Sequence, residues 1–547
     1  MDISRRSVIK TLAAAPLTRL RREDPELVLY NGRIWTVSDA QPEAQALAIA
    51  GGRIQALGSN RDVLALASAT TRKLDLEGQR VVPGFIDAHA HPAVSGLEHL
   101  TQVACDKNSI DAILAALRAK AQATEPGAWV QGFLYDDAKT PRPLNRRDLD
   151  AALPDHPVVV HHRGGHTGFV NTLALTKAGV DAHTPDPPGG RYERGADGEL
   201  TGFVADAALN RIDALIPKFA NRDAYRAAVG LVSGMFTRRG ITSACDADTP
   251  HEALQAYQDA RDAGDLTMRM YCHITRDDLP RLIQAGIHTG LGDGWVRIGG
   301  VKQYADGSIS ERTAWLSAPY EGIAGYSGLA LGTRDSLYAT ARQAWDAGFQ
   351  LATHANGDLA IDRVLGIYEQ LMAESPRRGA RPRLEHCTLI NDGLIARMRA
   401  IGAVPVPFAG YVYFHGDVLH YYGEERTRHM FAMRSLLDAG LRPASSSDYT
   451  ASPADPLMWM QSQVTRTDMA GHVWGANQRI TVAEAIRCST LNGAYASFEE
   501  HAKGSLEPGK LADLVVLAQD PFQVEPGALA QIAIERTMVG GRWVYES

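Results

Sequence analysis

Two histidines, His89 and His91, close the stretch Val81-Val82-Pro83-Gly84-Phe85-Ile86-Asp87-Ala88-His89-Ala90-His91-Pro92. Its apolar start is short enough for a buried strand, and residues i and i+2 of a strand share a face, so both imidazoles project together. Imidazole nitrogen is a common ligand of divalent zinc, and such a pair supplies half of a tetrahedral set. A lone His-x-His is equally well explained by two ordinary strand-end histidines. Further donors follow, however, because Lys302, His354, His386 and Asp448 each fall at or near the end of another strand-like run. Singly, each has a plainer reading: His354 and His386 as hydrogen-bonded core histidines, Asp448 as the cap of a following helix. Together they form the kind of ligand constellation that activates water.

Such residues converge only if the strands carrying them are parallel and adjacent. Apolar runs recur at 84–87, 240–245, 268–272, 300–304, 350–353, 383–385, 403–406 and 443–447, with helical stretches between them. Eight βα units predict an α/β fold, a (β/α)₈ TIM-like barrel, whose functional groups sit at the C-terminal ends of the strands. The gap between the first and second runs is far too long for one unit and predicts an inserted cap at about 92–235, with a polar turn at Pro185-Asp186-Pro187-Pro188-Gly189-Gly190. Short strands and turn dipeptides such as Asn31-Gly32, Gly51-Gly52 and Gly540-Gly541 mark both ends of the chain. Segments 26–82 and 506–547 are therefore expected to pair into one β-sandwich, with the barrel spanning 83–505.

Composition narrows the function classes. Charged residues at 22% with a net charge of −7 provide no basic surface for nucleic acid. The five cysteines are scattered and never spaced Cys-x-x-Cys, which argues against a disulfide framework or a thiolate zinc site. No apolar run is long enough to predict a membrane span. Ser4-Arg5-Arg6-Ser7-Val8-Ile9-Lys10 resembles a twin-arginine signal, so export to the periplasm or medium is expected. Retention in the cytoplasm is the alternative, because the following apolar stretch is short and interrupted by Arg19, Arg21 and Arg22. A homodimer is compatible with the chain.

With these residues in place, the chain resembles the metal-dependent amidohydrolase superfamily, and within it the YtcJ-like group that includes N-substituted formamide deformylases. The matching motifs are Pro83-Gly84-Phe85-Ile86-Asp87-Ala88-His89-Ala90-His91, Gly165-His166-Thr167-Gly168-Phe169-Val170-Asn171, Val301-Lys302-Gln303-Tyr304-Ala305-Asp306-Gly307-Ser308, His354-Ala355-Asn356-Gly357-Asp358, Glu385-His386 and Ser447-Asp448. The likeness runs from about Leu27 to the end and includes 504–517, a return into the sandwich. Asn356, where an aliphatic residue is common, and Tyr411-Val412-Tyr413-Phe414-His415 depart from the pattern and bear on the substrate.

The resemblance implies a hydrolase of non-peptide carbon–nitrogen bonds acting on a small-molecule amide, a formamide or N-acyl compound. It implies two divalent ions, zinc first with manganese or iron as alternatives, bridged by Lys302 carboxylated on its amine. His89 and His91 with Asp448 would hold the more buried ion, and His354 with His386 the other. Asp448 would also move the proton from the attacking water to the leaving nitrogen. His166, whose neighbours Gly165 and Gly168 would let the backbone come close to a ligand, is the candidate contact to the substrate carbonyl, with His161 and His162 nearby and unranked. Asp306 would fix the loop after Lys302, and Trp129, Phe133, Tyr304, Trp315, Tyr411 and Tyr413 are candidates for an apolar pocket. The rivals are a ring-amidine deaminase, a lactone or ester hydrolase, and a non-catalytic metal-binding module.

Overall fold

The computed structural model describes residues 24–217 and 222–547. The twin-arginine-like segment lies outside them.

Seven parallel strands form the central sheet in sequential order: β1 (Phe85–Ala90), β2 (Ile241–Thr249), β3 (Arg269–Ile274), β4 (Val296–Tyr304), β5 (Gln350–Ala355), β6 (Arg383–His386) and β7 (Val404–Pro407). Every residue of β1, β3, β5, β6 and β7 is buried, as parallel strands covered on both faces should be. The eighth run, 443–447, closes the ring without forming a regular strand. It bonds to β7 through Ala444 N–H and Pro405 O (3.1 Å), and to β1 through Ala88 N–H and Ser445 O (3.1 Å). The irregularity has a local cause. The carbonyls of Pro405 and Pro407 face this run, and a proline has no N–H on that side to complete the ladder. The barrel is thus nearly closed, with β1 and β2 in close approach: a Cβ on Gly84 would stand 2.2 Å from the Thr242 hydroxyl.

Helices Pro92–Thr101 and Arg222–Thr237 meet beside β1 and β2, where Gly96 lets the backbones approach. Between them lies the insert, a six-stranded mixed sheet ordered Gly190–Arg194, Leu200–Asp206, Thr167–Val170, Val158–His162, Val130–Tyr135, Val103–Ala104. Its apolar faces build separate cores around Val158, Val160 and Leu149, and around Val159, Val170 and Leu209.

The chain ends supply two further sheets. One is ordered Arg53–Gly58, Ala46–Ala50, Leu27–Tyr30, Arg72–Asp75. The other joins both ends, Arg542–Glu546, Ile534–Val539, Leu514–Leu517, Arg80–Pro83, Arg33–Trp35 and Glu43–Ala44. Leu29, Ile49, Val81, Leu514, Val516 and Met538 share the core between them. A buried, two-pronged ion pair, Arg269 to Asp513 at 2.7 and 2.9 Å, ties this unit to β3. All five cysteines are buried and unpaired. Among the described residues no helix is long and apolar enough to cross a membrane.

Candidate metal centre

The six ligand candidates come together at the C-terminal ends of the barrel strands. His89 is on β1 and His91 follows it, Lys302 is on β4, His354 on β5, His386 ends β6, and Asp448 follows the closing run. Backbone bonds set β1 against the segment holding Asp448: Asp448 N–H to His89 O at 2.8 Å, His91 N–H to Tyr449 O at 3.0 Å. Asp448 Oδ1 consequently lies 3.1 Å from His91 Nε2 and 3.3 Å from His89 Nε2, while Lys302 Nζ is 3.2 Å from His89 Nε2. Ligand atoms of His89, His386 and Asp448 all stand within 4.8 Å of one another. His386 and Asp448 have φ of 69° and 53°, a left-handed backbone that costs a side-chain-bearing residue about 1–2 kcal/mol. Such strain persists where the fold over-determines it, and here it aims both side chains at one point.

The free lone pairs fit a metal. His89 Nδ1 bonds Glu385 Oε2 at 2.5 Å, which fixes the proton on Nδ1 and leaves Nε2 as a bare donor atom facing Lys302 and Asp448. His386 Nδ1 is buried without a hydrogen bond, and its ring stacks on Phe408, 4.3 Å between centroids. His354 Nε2 donates to Gly307 O at 3.0 Å. Burial holds His354 and His386 far below the usual histidine range, as neutral imidazoles suited to ligation. Burial opposes ionisation of Asp448, yet its pKa lies well below the usual carboxylate range, with His91 Nε2 3.1 Å from Oδ1.

Lys302 is 1% exposed, and burial lowers its pKa despite Glu385 and Asp448 nearby. Its ammonium stands 4.5 Å from the centroid of Tyr304, whose hydroxyl bonds Asp248.

Further residues surround the ligand candidates, and the sequence did not single out Glu385 for the role it occupies. Glu385, a motif neighbour of His386, is the carboxylate that orients His89, and it is gripped by Arg383 at 2.7 and 2.9 Å. Asp306 accepts N–H bonds from Asn356, Gly357 and Trp315, and burial pushes its carboxyl to about 7. The Asn356 amide is 3.1 Å from His354 Nε2 and donates to Gly307 O.

Of the three candidate histidines His161, His162 and His166, His166 is the one at the mouth. Its ring centroid lies 5.0 Å from that of His354, and its Nδ1 bonds Asp206 Oδ1 at 2.6 Å. Burial disfavours its charged form, yet Asp206 and then Glu311 raise its pKa to about 9. His161 is turned away onto Asp213. Gly165 sits at φ 78° in the turn before His166, whereas Gly168 makes room for Leu209, not for a ligand. Of the aromatic candidates, Tyr304 borders the centre, Trp129 packs on the insert's core, and Trp315 lies under the Arg363 guanidinium.

A barrel whose strand ends gather imidazoles, a carboxylate and a buried lysine around one point is the framework of a metal-dependent hydrolase. The chain belongs to the Amidohydrolase family, whose model matches residues 72–545. It is 31% identical over 537 residues to the N-substituted formamide deformylase of Arthrobacter pascens, covering 95% of this chain and 98% of that one. It is 29% identical to the putative amidohydrolase YtcJ of Bacillus subtilis over 95% and 99% of the two chains. An uncharacterized metal-dependent hydrolase from Pyrococcus furiosus superposes with a TM-score of 0.72 at 25% identity, over 91% of this chain and 100% of that chain. An uncharacterized metal-dependent hydrolase from Pyrococcus horikoshii shares the fold with a TM-score of 0.74 over 92% of this chain and 99% of that chain, at 24% identity. The protein is a metal-dependent hydrolase of the amidohydrolase superfamily.

Proposed function

We propose that the protein hydrolyses a non-peptide amide bond of a small N-formyl or N-acyl amine, using two divalent ions, zinc foremost, shared by a Lys302 carboxylated on Nζ. The observation that carries this reading is the buried amine of Lys302 among the ligand atoms. An uncharged amine is nucleophilic toward CO₂; the new N–C bond and loss of one proton give a carbamate with two oxygens to share. His89, His91, His354, His386 and Asp448 would complete the set.

Two divalent ions bound there would polarise the substrate carbonyl and acidify the attacking water. The remaining steps belong to the chain's own groups. The Asp448 carboxylate takes a proton from water and delivers it to the leaving nitrogen, as the C–O bond forms and the C–N bond breaks to give an acid and an amine. His166, with Nδ1 held by Asp206, presents Nε2 as a donor to the carbonyl oxygen, where negative charge develops. Kinship with an N-substituted formamide deformylase supports formamides as the first substrates to try.

The metal-loaded protein should be assayed against N-substituted formamides, N-acyl amino acids, lactones and cyclic ureas. Formate release from formamides, with kcat/KM well above that for the other classes, is expected. Turnover confined to lactones would replace the amide reading with an ester hydrolase.

A further inference from the structure

We propose a second cation site, separate from the barrel mouth, where the insert meets the barrel: Asp136, Asp137 and His162 hold a zinc-like divalent ion, with His415 facing the second oxygen of Asp136. The two insert strands Val130–Tyr135 and Val158–His162 run parallel with Tyr135 opposite His162, so the residues just past Tyr135 emerge beside the His162 ring. His415 comes from the barrel side, at the end of helix Tyr411–His415. Oxygens of Asp136 and Asp137 and a His162 nitrogen lie within 4.8 Å of one another. Specifically, His162 Nε2 is 3.4 Å from Asp137 Oδ1 and 3.8 Å from Asp136 Oδ1, and His415 Nδ1 is 3.7 Å from Asp136 Oδ2. Donors about 2.0–2.2 Å from a shared zinc stand about 3–4 Å from each other, the spacing His162 Nε2 keeps to both aspartates, while His415 lies outside that three-residue group and faces the second oxygen of Asp136.

The buried polar atoms point the same way. Asp136, His162 and His415 are 4%, 3% and 1% exposed, and Asp136 Oδ2, His162 Nε2 and His415 Nδ1 have no hydrogen-bond partner. His415 Nε2 donates to Ala451 O at 2.8 Å, which leaves Nδ1 as a lone pair turned toward an ionised carboxylate oxygen. Two acceptors facing each other in a dry setting repel, and a cation between them removes the conflict. The neighbouring guanidiniums do not fill that role: Arg163 is engaged by Ala451 O and Thr450 O, and Arg312 comes only within 3.9 Å of Asp137 Oδ2.

His162 has the support typical of a ligating imidazole. Glu311 Oε1 stands 3.3 Å from its Nδ1, ready to accept that proton and free Nε2 for a metal. Gly164 admits Glu311, since a Cβ there would stand 2.1 Å from Glu311 Oε2. The competing arrangement keeps the proton on Nε2, with Gly164 N–H donating to Nδ1 at 3.1 Å, or protonates both nitrogens in an ion pair with Glu311 and the aspartates. Neither accounts for His415. An imidazole and two carboxylates, with a second imidazole against one of the carboxylates, suit zinc or another first-row divalent ion. Such an ion would clamp the insert to the barrel: Glu311 also accepts from His166 N–H and Thr167 Oγ1, and Ala451 follows closely on Asp448.

The test uses the full chain, stripped with chelator, re-equilibrated with Zn²⁺ alone and counted for zinc by mass spectrometry. Asp136→Asn and His415→Gln should each lower the count by about one ion per chain. Combined with Lys302→Ala, the losses should add, because the two sites are independent. Zinc counts equal to wild type in both variants would overturn the proposal. Should either variant lose its cooperative unfolding, zinc-edge anomalous diffraction from wild-type crystals decides. A peak among Asp136, Asp137 and His162 supports the site, and a water or hydrogen-bonded contact without a peak overturns it. Failure of the barrel-mouth reading leaves this result unaffected.

Discussion

Replacing Glu385 with Gln separates two functions of one buried carboxylate. Its Oε2 holds His89 Nδ1 at 2.5 Å, and both its oxygens bind Arg383, with the pair 0–1% exposed. Glutamine keeps the shape but loses the charge that fixes the His89 proton. Removing such an orienting partner lowers metal affinity about 10- to 100-fold, or about 1.4–2.8 kcal/mol. It also leaves the Arg383 guanidinium buried without its counter-charge, at a cost of about 3–5 kcal/mol. Metal affinity should be read by competition with a chromogenic chelator, and stability by urea unfolding of the metal-free chain. Arg383→Met/Glu385→Met is the control: an apolar pair of similar volume should recover much of the stability, yet metal affinity stays low because His89 Nδ1 still lacks its acceptor. Wild-type affinity in Glu385→Gln, with only stability reduced, would refute the orienting role.

Asp448→Asn should lower kcat about 10²- to 10⁴-fold, with metal content, measured by elemental analysis, falling far less. If Asp448 only caps the next turn, the variant instead loses about 1 kcal/mol of stability and keeps its turnover. His166 offers a pH signature. Its pKa is raised to about 9 in the folded chain, so its cationic donor is intact at neutral pH and lost as pH rises through about 9. The alkaline limb of kcat/KM should therefore move to lower pH in Asp206→Asn, and an unmoved limb would remove His166 from the titrating step.

The parts legible in the sequence were those carried by local pattern. Apolar runs ending in His, Lys or Asp located the strand ends, because in a parallel barrel the residue closing a run is the one at the mouth. The closing run 443–447 read as a strand like the others, but Pro405 and Pro407 opposite it withhold the N–H groups that regular pairing needs. Glu385 appeared only as a neighbour of His386, since its partner His89 lies on another strand far away in the chain. For the same reason His161, His162 and His166 could not be ranked. His166 is distinguished by Asp206, from a separate strand, and by proximity to His354, neither of which spacing reveals. Gly168 read as a ligand approach and proved to be a packing contact with Leu209. The substrate stayed illegible because the residues that would choose it come from the insert and from the loops after the strands.

The central claim is a pair of divalent ions joined through Lys302. Anomalous diffraction from crystals of the metal-loaded protein, recorded above and below the metal edge, tests it most directly. Two peaks at the barrel mouth among His89, His91, His354, His386 and Asp448 are predicted, with density for a carboxylate extending from Lys302 Nζ between them. A single peak beside an unmodified Lys302 amine would contradict it.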